Sequence, residues 1–314
     1  MGKRQSFIQM LPQRMGAVLG KLNLNYEKLQ EIRMRADRPL AVKWDGKEYF
    51  VKAGGEATIY KEDGCLVSKQ DIAQTMEYIS GYSLYAYEEE LRQGFLTIQG
   101  GHRVGVAGKV LLENGKIKNI RHIAFLNIRL CHEVFGCADE LLPYITEDHH
   151  VYSTLLISPP GAGKTTVLRD MIRQVSDGSR DRTGRNVGVV DERSELAGSY
   201  YGIPQNDLGN RTDILDGCPK AEGMMMMIRS MAPEILAVDE IGTKDDMDAL
   251  RSAACCGCQI FATVHGNSVE DICSHPYLGQ VYKERIFDRY VLLNRDYGTG
   301  QIGAIYDREL EKIR

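Results

Sequence analysis

Residues 157–166 read Ile-Ser-Pro-Pro-Gly-Ala-Gly-Lys-Thr-Thr, and this stretch decides the fold of the second half of the chain. A largely apolar segment precedes it at 151–157, and a segment with apolar residues at helical spacing follows it at 167–175. A strand, a glycine-rich turn and a helix, in that order, form the structural context of a phosphate-binding loop. The stretch therefore predicts a site for a nucleoside triphosphate.

The residues of this loop have separate tasks in holding a triphosphate. Gly161 and Gly163 allow backbone amides to surround the phosphates, and the N-terminus of the following helix adds positive potential. Lys164 is long enough to reach the β- and γ-phosphates, and the hydroxyl of Thr165 is a ligand for Mg²⁺. One departure from the usual motif is Ser158, which stands at the position of its first glycine. The predicted cofactor-binding residues are Ser158, Pro159, Pro160, Gly161, Ala162, Gly163, Lys164, Thr165 and Thr166.

The overall composition limits the class of protein. The chain has 314 residues, enough for two domains, and its 39 basic and 43 acidic residues give a net charge of −4. This charge argues against a nucleic-acid partner. No apolar run approaches the ~20 residues that a membrane-spanning helix needs, and the N-terminus lacks the features of a secretory signal. We therefore expect a cytoplasmic protein with no transmembrane segment of its own.

The first half of the chain, residues 1–150, is predicted to be a small α+β domain. Asp45-Gly46 and Asn114-Gly115 each lie between two β-rich segments and indicate tight hairpins. Between these hairpins, Ser68 is the predicted N-cap of a helix. A short helix at 138–145 is the predicted last element of this domain.

The second half, residues 151–314, alternates between strand and helix patterns, which indicates an α/β domain with a mostly parallel sheet. Much of 198–219 is predicted to be a solvated loop. The predicted strands are 151–157, 187–190, 235–239 and 259–264, with 289–293 and 302–306 as edge additions. The predicted helices are 165–176, 220–232, 245–256 and 268–274.

One predicted strand delivers two adjacent carboxylates. The segment 234–240 is apolar and ends in Asp239 and Glu240, and the carboxyl edge of a parallel sheet is where ligands bind. There Asp239 is predicted to hold Mg²⁺ through water, and Glu240 is predicted to polarise the attacking water. Taken alone, the segment is also compatible with an apolar strand that enters an acidic turn.

Two further strands end in polar residues. The segment 186–192 ends in Asp191 and Glu192, and its end is expected to open onto the same crevice because it follows the phosphate loop by one helix. Whether Glu192 or Asp191 shapes the water or metal site stays open at this point. Another strand ends in His265, placed either to sense the γ-phosphate or to pack as an ordinary core histidine. Glu240, Glu192 and His265 are the candidate catalytic residues.

With these motifs placed, the chain resembles the stage III sporulation protein AA family, P-loop ATPases of endospore-forming bacteria. The resemblance spans nearly the whole chain. Its most specific stretches are EIRMRADRPL (31–40), GHRVGVAGKV (101–110), VGVVDERSE (187–195), RTDILDGCPKAEGM (211–224), IRSMAPEILAVDEIG (228–242) and CCGCQIFATVHG (255–266).

A more distant resemblance is to the ATPases of type II and type IV secretion and pilus machines, and it implies a RecA-like P-loop NTPase core. The strand that ends in Asp191-Glu192 is similar to their acidic box, Asp239-Glu240 to their second nucleotide motif, and residues 263–268 to their histidine box. The secretion ATPases usually carry glycine where Asp239 stands. The division of labour between Glu240 and Glu192 is therefore open.

The resemblance also implies cofactors and partners. ATP and Mg²⁺ are the implied cofactors, and the chain lacks the Asn-Lys-x-Asp motif that usually recognises guanine. The implied assembly is a hexamer-like ring of identical subunits on the cytoplasmic face of a membrane-embedded sporulation channel, between mother cell and forespore. In secretion ATPases the N-terminal domain covers the nucleotide of its own or a neighbouring subunit. By that analogy, the candidates for phosphate contacts are Arg33, Arg35, Arg103 and Arg121.

These inferences favour one function and leave an alternative. The favoured function is Mg²⁺-dependent ATP hydrolysis that powers or assembles a secretion-like membrane complex. The alternative is a nucleotide-sensing scaffold that binds ATP to organise partners and turns over little. A nucleic-acid motor on the same core is disfavoured by the net charge of −4.

Overall fold

The computed structural model of the chain describes residues 7–83, 87–147, 150–180, 182–294 and 300–314. The chain divides into two compact units, Met1–His132 and Glu133–Arg314. Within the described residues the helices are α1 (Gln13–Gly20), α2 (Lys69–Ile79), α3 (Glu88–Gln93), α4 (Leu142–Ile145), α5 (Lys164–Asp177), α6 (Lys220–Met231), α7 (Lys244–Cys255), α8 (Val269–Ser274) and α9 (Leu278–Lys283), with short 3-10 helices at Tyr26–Lys28 and Lys61–Asp63. None of these helices has both the length and the apolar character needed to cross a membrane.

The strands belong to a sheet in each unit and to two small two-stranded pairs. In the first unit they are β1 (Leu29–Arg35), β2 (Arg38–Pro39), β3 (Ala41–Trp44), β4 (Lys47–Val51), β5 (Ala57–Thr58), β6 (Leu66–Val67), β7 (Phe95–Ile98), β8 (His102–Glu113) and β9 (Lys116–Arg129). In the second unit they are β10 (Thr146–Glu147), β11 (His150–Val151), β12 (Thr154–Ser158), β13 (Val187–Asp191), β14 (Thr212–Asp216), β15 (Ile235–Val238), β16 (Gln259–His265), β17 (Arg289–Asn294) and β18 (Gln301–Tyr306).

The first unit is built on an antiparallel sheet with the strand order β5-β4-β3-β1-β9-β8-β7. Turns at Asp45-Gly46 and Asn114-Gly115 join β3 to β4 and β8 to β9. All four turn residues have positive φ, which is the conformation of a type I′ hairpin turn. Both predicted hairpins are confirmed.

Helix α2 packs against this sheet through a buried face. Its predicted N-cap is confirmed: the Ser68 hydroxyl accepts the amide of Asp71, and the Asp71 carboxylate accepts the amide of Ser68. Such a capping box satisfies two amides that would otherwise lack partners and contributes about 1 kcal/mol. On the buried face, the hydroxyl of Thr75 lies 3.9 Å from the sulfur of Met34 on β1.

The second unit contains a sheet with the strand order β14-β13-β15-β16-β12-β17-β18. Every pair is parallel except β17 with β18. Alternate residues of the central strands enter two different cores: Leu155 and Ile157 pack with Met224 of α6, and Leu156 packs with Leu168 of α5. Helices on both faces explain why these strands are apolar throughout, and the predicted α/β fold with a mostly parallel sheet is confirmed.

The structure differs from the predicted domain boundary at 150/151. Ala138, Leu141 and Ile145 are buried in the same core as Val151 and the central strand β12. Because these residues need that core to bury their side chains, the segment from Glu133 onward folds with the second unit. Helix α4 is also shorter than the predicted 138–145, since turns occupy its first half.

Two strands differ from the prediction as well. The segment 198–219, predicted to be largely loop, contains β14, which among the described strands pairs with β13 alone and is half-exposed. Strand β17 is not an edge addition, because it lies between β12 and β18. An edge strand lacks a fully buried apolar run, so β14 gave a weaker sequence signal than its neighbours.

Candidate functional site

The ends of four parallel strands bring the predicted site residues to one edge of the sheet. Strand β12 ends at Ser158, β13 at Asp191 and β16 at His265, and Asp239 directly follows β15. Because parallel neighbours end on the same side, the segments that follow them share one crevice. All of these elements belong to the second unit.

The loop between β12 and α5 has the backbone of a phosphate-binding loop. Gly161 (φ +76°) and Gly163 (φ +93°) lie in the left-handed region, which glycine adopts without the steric cost of a Cβ. Among the described residues other than its chain neighbours, no heavy atom lies within 4 Å of the point where a Cβ on Gly161 would stand, so the backbone conformation is what favours glycine there. The amide of Gly300 supports the loop by donating to the carbonyl of Ala162 at 2.7 Å.

Ser158 replaces the first motif glycine without disturbing the loop. Its side chain is fully buried, and its hydroxyl donates to the carbonyl of Pro159 at 3.1 Å. Its own carbonyl accepts the amide of Gly266 at 3.1 Å, next to β16. Ser158 therefore serves as the last residue of the strand, and the loop proper begins at Pro159.

Asp239 joins the first turn of α5 to the neighbouring strand β16. The hydroxyl of Thr165 donates to Oδ2 of Asp239 at 2.6 Å, and the hydroxyl of Thr263 donates to Oδ1. The two residues predicted to ligate Mg²⁺, Thr165 and Asp239, are thus in direct contact. A hydroxyl and a carboxylate at this position are oxygen ligands of the kind that Mg²⁺ prefers.

Glu240 has a strained backbone that its neighbours hold in place. Its φ is +56°, a left-handed conformation that costs a non-glycine residue about 1 kcal/mol or more. Its amide donates to the hydroxyl of Thr263 at 2.9 Å, and its carbonyl accepts from Nζ of Lys220 at 2.8 Å. Strain of this kind concentrates at functional sites.

The carboxylate of Glu240 lies among three basic side chains. Nζ of Lys164 and Nε2 of His265 lie 2.6 Å and 3.0 Å from Oε1, and Nη1 of Arg193 lies 2.8 Å from Oε2. Burial alone raises the pKa of Glu240, but the hydrogen bond and charge of Lys164, together with His265 and Arg193, outweigh burial and lower it. Glu240 is therefore ionised at neutral pH, and its low basicity suits it to orienting a water molecule more than to removing a proton.

Asp191 is committed to the turn that follows β13. Its two carboxylate oxygens accept the amides of Glu195, Leu196 and Ala197 at 2.8–3.0 Å. The side chain is buried, and this burial raises its pKa to about 6; the amides of Ala197 and Glu195 act in the opposite direction, and Asp216 adds to the rise. Asp191 lines the same crevice as Asp239 and Glu240, as predicted, but both of its carboxylate oxygens are engaged by backbone amides, so it anchors the turn.

Glu192 contacts the site through Lys220. Its Oε2 lies 3.2 Å from Nζ of Lys220, the first residue of α6, and the same ammonium donates to the Glu240 carbonyl. The Lys220 side chain is only 12% exposed. Lys220 therefore links the two strand ends that carry the Asp-Glu pairs.

Lys220, Arg193 and Thr263 are contacts that the sequence prediction did not include. Thr263 lies two residues before His265 on β16, so strand alternation places both on the same face and is a usable signal. Arg193 directly follows the Asp191-Glu192 pair. Lys220 has no comparable signal, because its position depends on how α6 returns from β14 to the crevice.

Comparisons with known proteins agree with this architecture. The family model described as "Sporulation stage III, protein AA" matches residues 1–313. Stage III sporulation protein AA of Bacillus subtilis (strain 168) is 43% identical over 302 residues, which cover 96% of this chain and 94% of that protein.

Solved structures show a similar fold. The ATPase DotB of Legionella pneumophila has a TM-score of 0.54 and 15% identity, and the match covers 85% of this chain and 72% of that one. The pilus retraction motor PilT with bound ADP has a TM-score of 0.54 and 17% identity, with 84% and 74% covered. At these identities the likeness concerns the fold alone, and it confirms the predicted RecA-like α/β fold with a mostly parallel sheet.

Proposed function

The chain belongs to the family "Sporulation stage III, protein AA", and from this membership we propose that it binds Mg²⁺·ATP in the crevice and hydrolyses it. Two contacts between the phosphate loop and the end of β15 carry the proposal. Nζ of Lys164 lies 2.6 Å from Glu240, and the hydroxyl of Thr165 lies 2.6 Å from Asp239. Lys164, Thr165 and Asp239 match the lysine, the hydroxyl and the metal-binding acid of P-loop NTPases, and we assign to Glu240 the task of the water-positioning residue.

The residues of the crevice suit a magnesium nucleotide. The left-handed glycines give the loop the backbone conformation in which amides converge on phosphate oxygens, and Thr165 and Asp239 supply oxygen ligands for the metal. Mg²⁺ held by Thr165 and Asp239 would neutralise the negative charge that develops on the phosphate oxygens as the bond to the terminal phosphate breaks. ADP in the pilus retraction motor PilT is consistent with an adenine nucleotide here.

Lys164 exchanges partners when the nucleotide binds. Its ammonium is largely buried and paired with Glu240, and a triphosphate carries more negative charge than one carboxylate. Transfer of Lys164 to the phosphates removes the strongest influence that lowers the pKa of Glu240. Oε1 of Glu240 then loses one of its two partners and can accept a hydrogen bond from the attacking water, while His265 and Arg193 hold the carboxylate in place.

His265 and Glu192 have different parts in this scheme. His265 lies 3.0 Å from Glu240 at the end of β16, where it senses the terminal phosphate through the same carboxylate. Glu192 acts one step away, because its contact with the Glu240 segment passes through Lys220. Glu240 is therefore the residue to which we assign the attacking water.

Assembly and partners rest on the family resemblance. The proposed assembly is a hexamer-like ring that works at the cytoplasmic face of a membrane-embedded sporulation channel. In such rings a trans-acting arginine is worth about 10³–10⁵ in rate. Four arginines are candidates for this role. Arg33 pairs with Glu31 at 2.7 Å, and Arg103 stacks on Phe95. Arg35 lies on β1, and Arg121 is exposed on β9.

ATP turnover measured over a range of protein concentrations tests the proposal. We expect a slow rate for dilute protein and a specific activity that rises with concentration, because the isolated subunit lacks the trans-acting arginine. Lys164→Ala is expected to abolish ATP binding. Fast turnover that does not depend on concentration would rule out catalysis that requires assembly, although it would leave hydrolysis itself intact.

A nucleotide-sensing scaffold is the second candidate function. It is favoured by the three basic side chains around Glu240, which occupy both oxygens of the carboxylate. Sporulating cells that carry either Glu240→Gln or Lys164→Ala distinguish the two functions. A scaffold tolerates Glu240→Gln and fails with Lys164→Ala, whereas an ATPase fails with both.

A further inference from the structure

The β8–β9 hairpin extends beyond the rest of its sheet. Strand β1 pairs with β9 only as far as Phe125, and β7 pairs with β8 only as far as Gly105. Residues 109–121, here called the hairpin tip, therefore form a two-stranded ribbon about 16 Å long at about 3.3 Å per residue. The ribbon departs at Gly108, where a Cβ would lie 2.7 Å from the carbonyl oxygen of Arg121.

One face of the hairpin tip is apolar. Val110 pairs with Ile120, and Leu112 pairs with Ile117. Val110 and Leu112 are two residues apart on β8 and share a face. A register shift between Leu111 and Leu112 places Ile117 opposite Leu112, so the two cross-strand partners lie on that face as well. Val110 and Ile117 are about half exposed, and Leu112 is 67% exposed. Clustered apolar side chains on a surface indicate an interaction site.

The hairpin tip is also basic, although the whole chain is acidic. Lys109, Lys116, Lys118 and Arg121 outnumber the single acid Glu113, so the tip has a net charge of +3 against −4 for the chain. Lys109 stands directly opposite Arg121 across the two strands. Like charges in this arrangement destabilise a hairpin, and a bound anionic surface relieves the repulsion.

We propose that the hairpin tip inserts into the surface of an anionic phospholipid bilayer. Its aliphatic face enters the boundary between headgroups and acyl chains, and Lys109 and Lys116 reach the headgroup phosphates, whereas Lys118 is paired with Glu113 at 2.5 Å. A protein partner fits less well, because protein interfaces are enriched in aromatic residues and depleted in lysine. The tip has three lysines and no aromatic residue, and it is small beside the ~800 Å² per partner of a stable interface.

Co-sedimentation of the full chain with lipid vesicles tests this proposal without reference to nucleotide turnover. We expect binding to vesicles of equal parts phosphatidylglycerol and phosphatidylcholine, and at least tenfold weaker binding to phosphatidylcholine alone. Lys109→Gln with Lys116→Gln is expected to weaken binding about twentyfold. Leu112→Ser with Ile117→Ser is expected to weaken it about tenfold or more.

Matched control variants come from other exposed positions. Ile59 and Ile203 are as exposed as Leu112, so Ile59→Ser with Ile203→Ser controls for loss of surface apolar groups. Lys47→Gln with Lys61→Gln controls for loss of two exposed charges. Both controls are expected to bind vesicles as well as the wild-type chain.

Three results would overturn the proposal. The first is no binding to the anionic vesicles, and the second is an equal loss of binding in the controls. The third is a change of oligomeric state in Leu112→Ser with Ile117→Ser without vesicles, which would assign the face to a second copy of the chain. If that variant does not fold, vesicle binding by Lys109→Gln with Lys116→Gln tests the proposal, since both side chains are exposed and contribute nothing to the core.

Discussion

Strands β13 and β15 end in the same dipeptide, Asp-Glu, yet the structure uses the two pairs differently. Asp191 accepts three backbone amides and anchors a turn, whereas Asp239 accepts two hydroxyls, one of them from the first turn of α5. Glu240 contacts Lys164 directly, and Glu192 contacts Lys220. The dipeptide alone therefore does not define a catalytic position.

The order of strands explains the difference. Strand β12, which carries the phosphate loop, has β16 beside it, then β15, then β13. At about 4.8 Å per strand, the end of β15 lies about 10 Å from β12 and the end of β13 about 14 Å. The side chain of Lys164 reaches Glu240 across the shorter distance, and the longer distance puts Glu192 out of its reach. The comparison predicts that substitutions at the two strand ends have unequal effects.

Glu240→Gln is expected to have the largest effect on turnover. The amide keeps the shape of the side chain but removes the charge that aligns the attacking water, so the rate falls about 100-fold or more. ATP binding is retained, because the phosphates are held by Lys164 and the loop. Single-turnover phosphate release and nucleotide titration measure the two quantities. Turnover at the wild-type rate would move the catalytic role to Glu192.

Asp191→Asn is expected to change the pH dependence of stability. The raised pKa of about 6 means that the folded carboxyl holds a proton that the unfolded one, at about 4, has released. Wild-type stability from this group is therefore fully present below about pH 4 and is lost as the pH rises through about 6, by about 3 kcal/mol. The free energy of unfolding, measured in urea across that range for both proteins, should show this loss only in the wild type. Parallel pH profiles would contradict the assignment.

Lys220→Met tests the link between the two strand ends. Methionine keeps the length of the side chain but loses the hydrogen bond to the Glu240 carbonyl, so the strained peptide shifts. We expect kcat to fall about tenfold, with the KM for ATP and the melting temperature nearly unchanged. Lys220→Arg should restore part of the rate. If the melting temperature falls together with kcat, Lys220 acts on the stability of the fold and not on the position of Glu240.

Glu192→Gln is expected to have the smallest effect. Its carboxylate is 37% exposed and forms one ion pair, and such pairs contribute little. Turnover should fall less than about threefold. The variant serves as the matched control for Glu240→Gln, since it removes one acid from the other Asp-Glu pair. A loss as large as that of Glu240→Gln would show that the two pairs share one task.

Local signals made much of this architecture predictable from the sequence. The phosphate loop, the type I′ turns and the Ser68 cap each depend on residues within a few positions of one another. The central strands were predictable for the same reason, because burial on both faces makes each one a continuous apolar run. Asp239 and Glu240 were predictable as site residues because they come directly after the apolar run of β15.

Long-range arrangement limited the rest of the prediction. The strand order, which separates Asp191 from the phosphate loop, arises from how crossovers pack and leaves no mark in either strand. The place of Lys220 depends on the same crossovers. The predicted domain boundary was wrong because the apolar residues Ala138 and Leu141 give the same sequence pattern whether they pack in the core of the first unit or of the second. Half-exposed β14 lacked the apolar run that identified its neighbours.

Phosphate release from ATP by the wild-type chain and by Lys164→Ala, with Mg²⁺ present or chelated, tests the central claim most directly. We predict turnover only for the wild type with Mg²⁺, because the loop lysine and the metal ligands Thr165 and Asp239 are all required. Turnover that persists in Lys164→Ala or without Mg²⁺, or a wild-type chain that hydrolyses no ATP at any concentration, would contradict it.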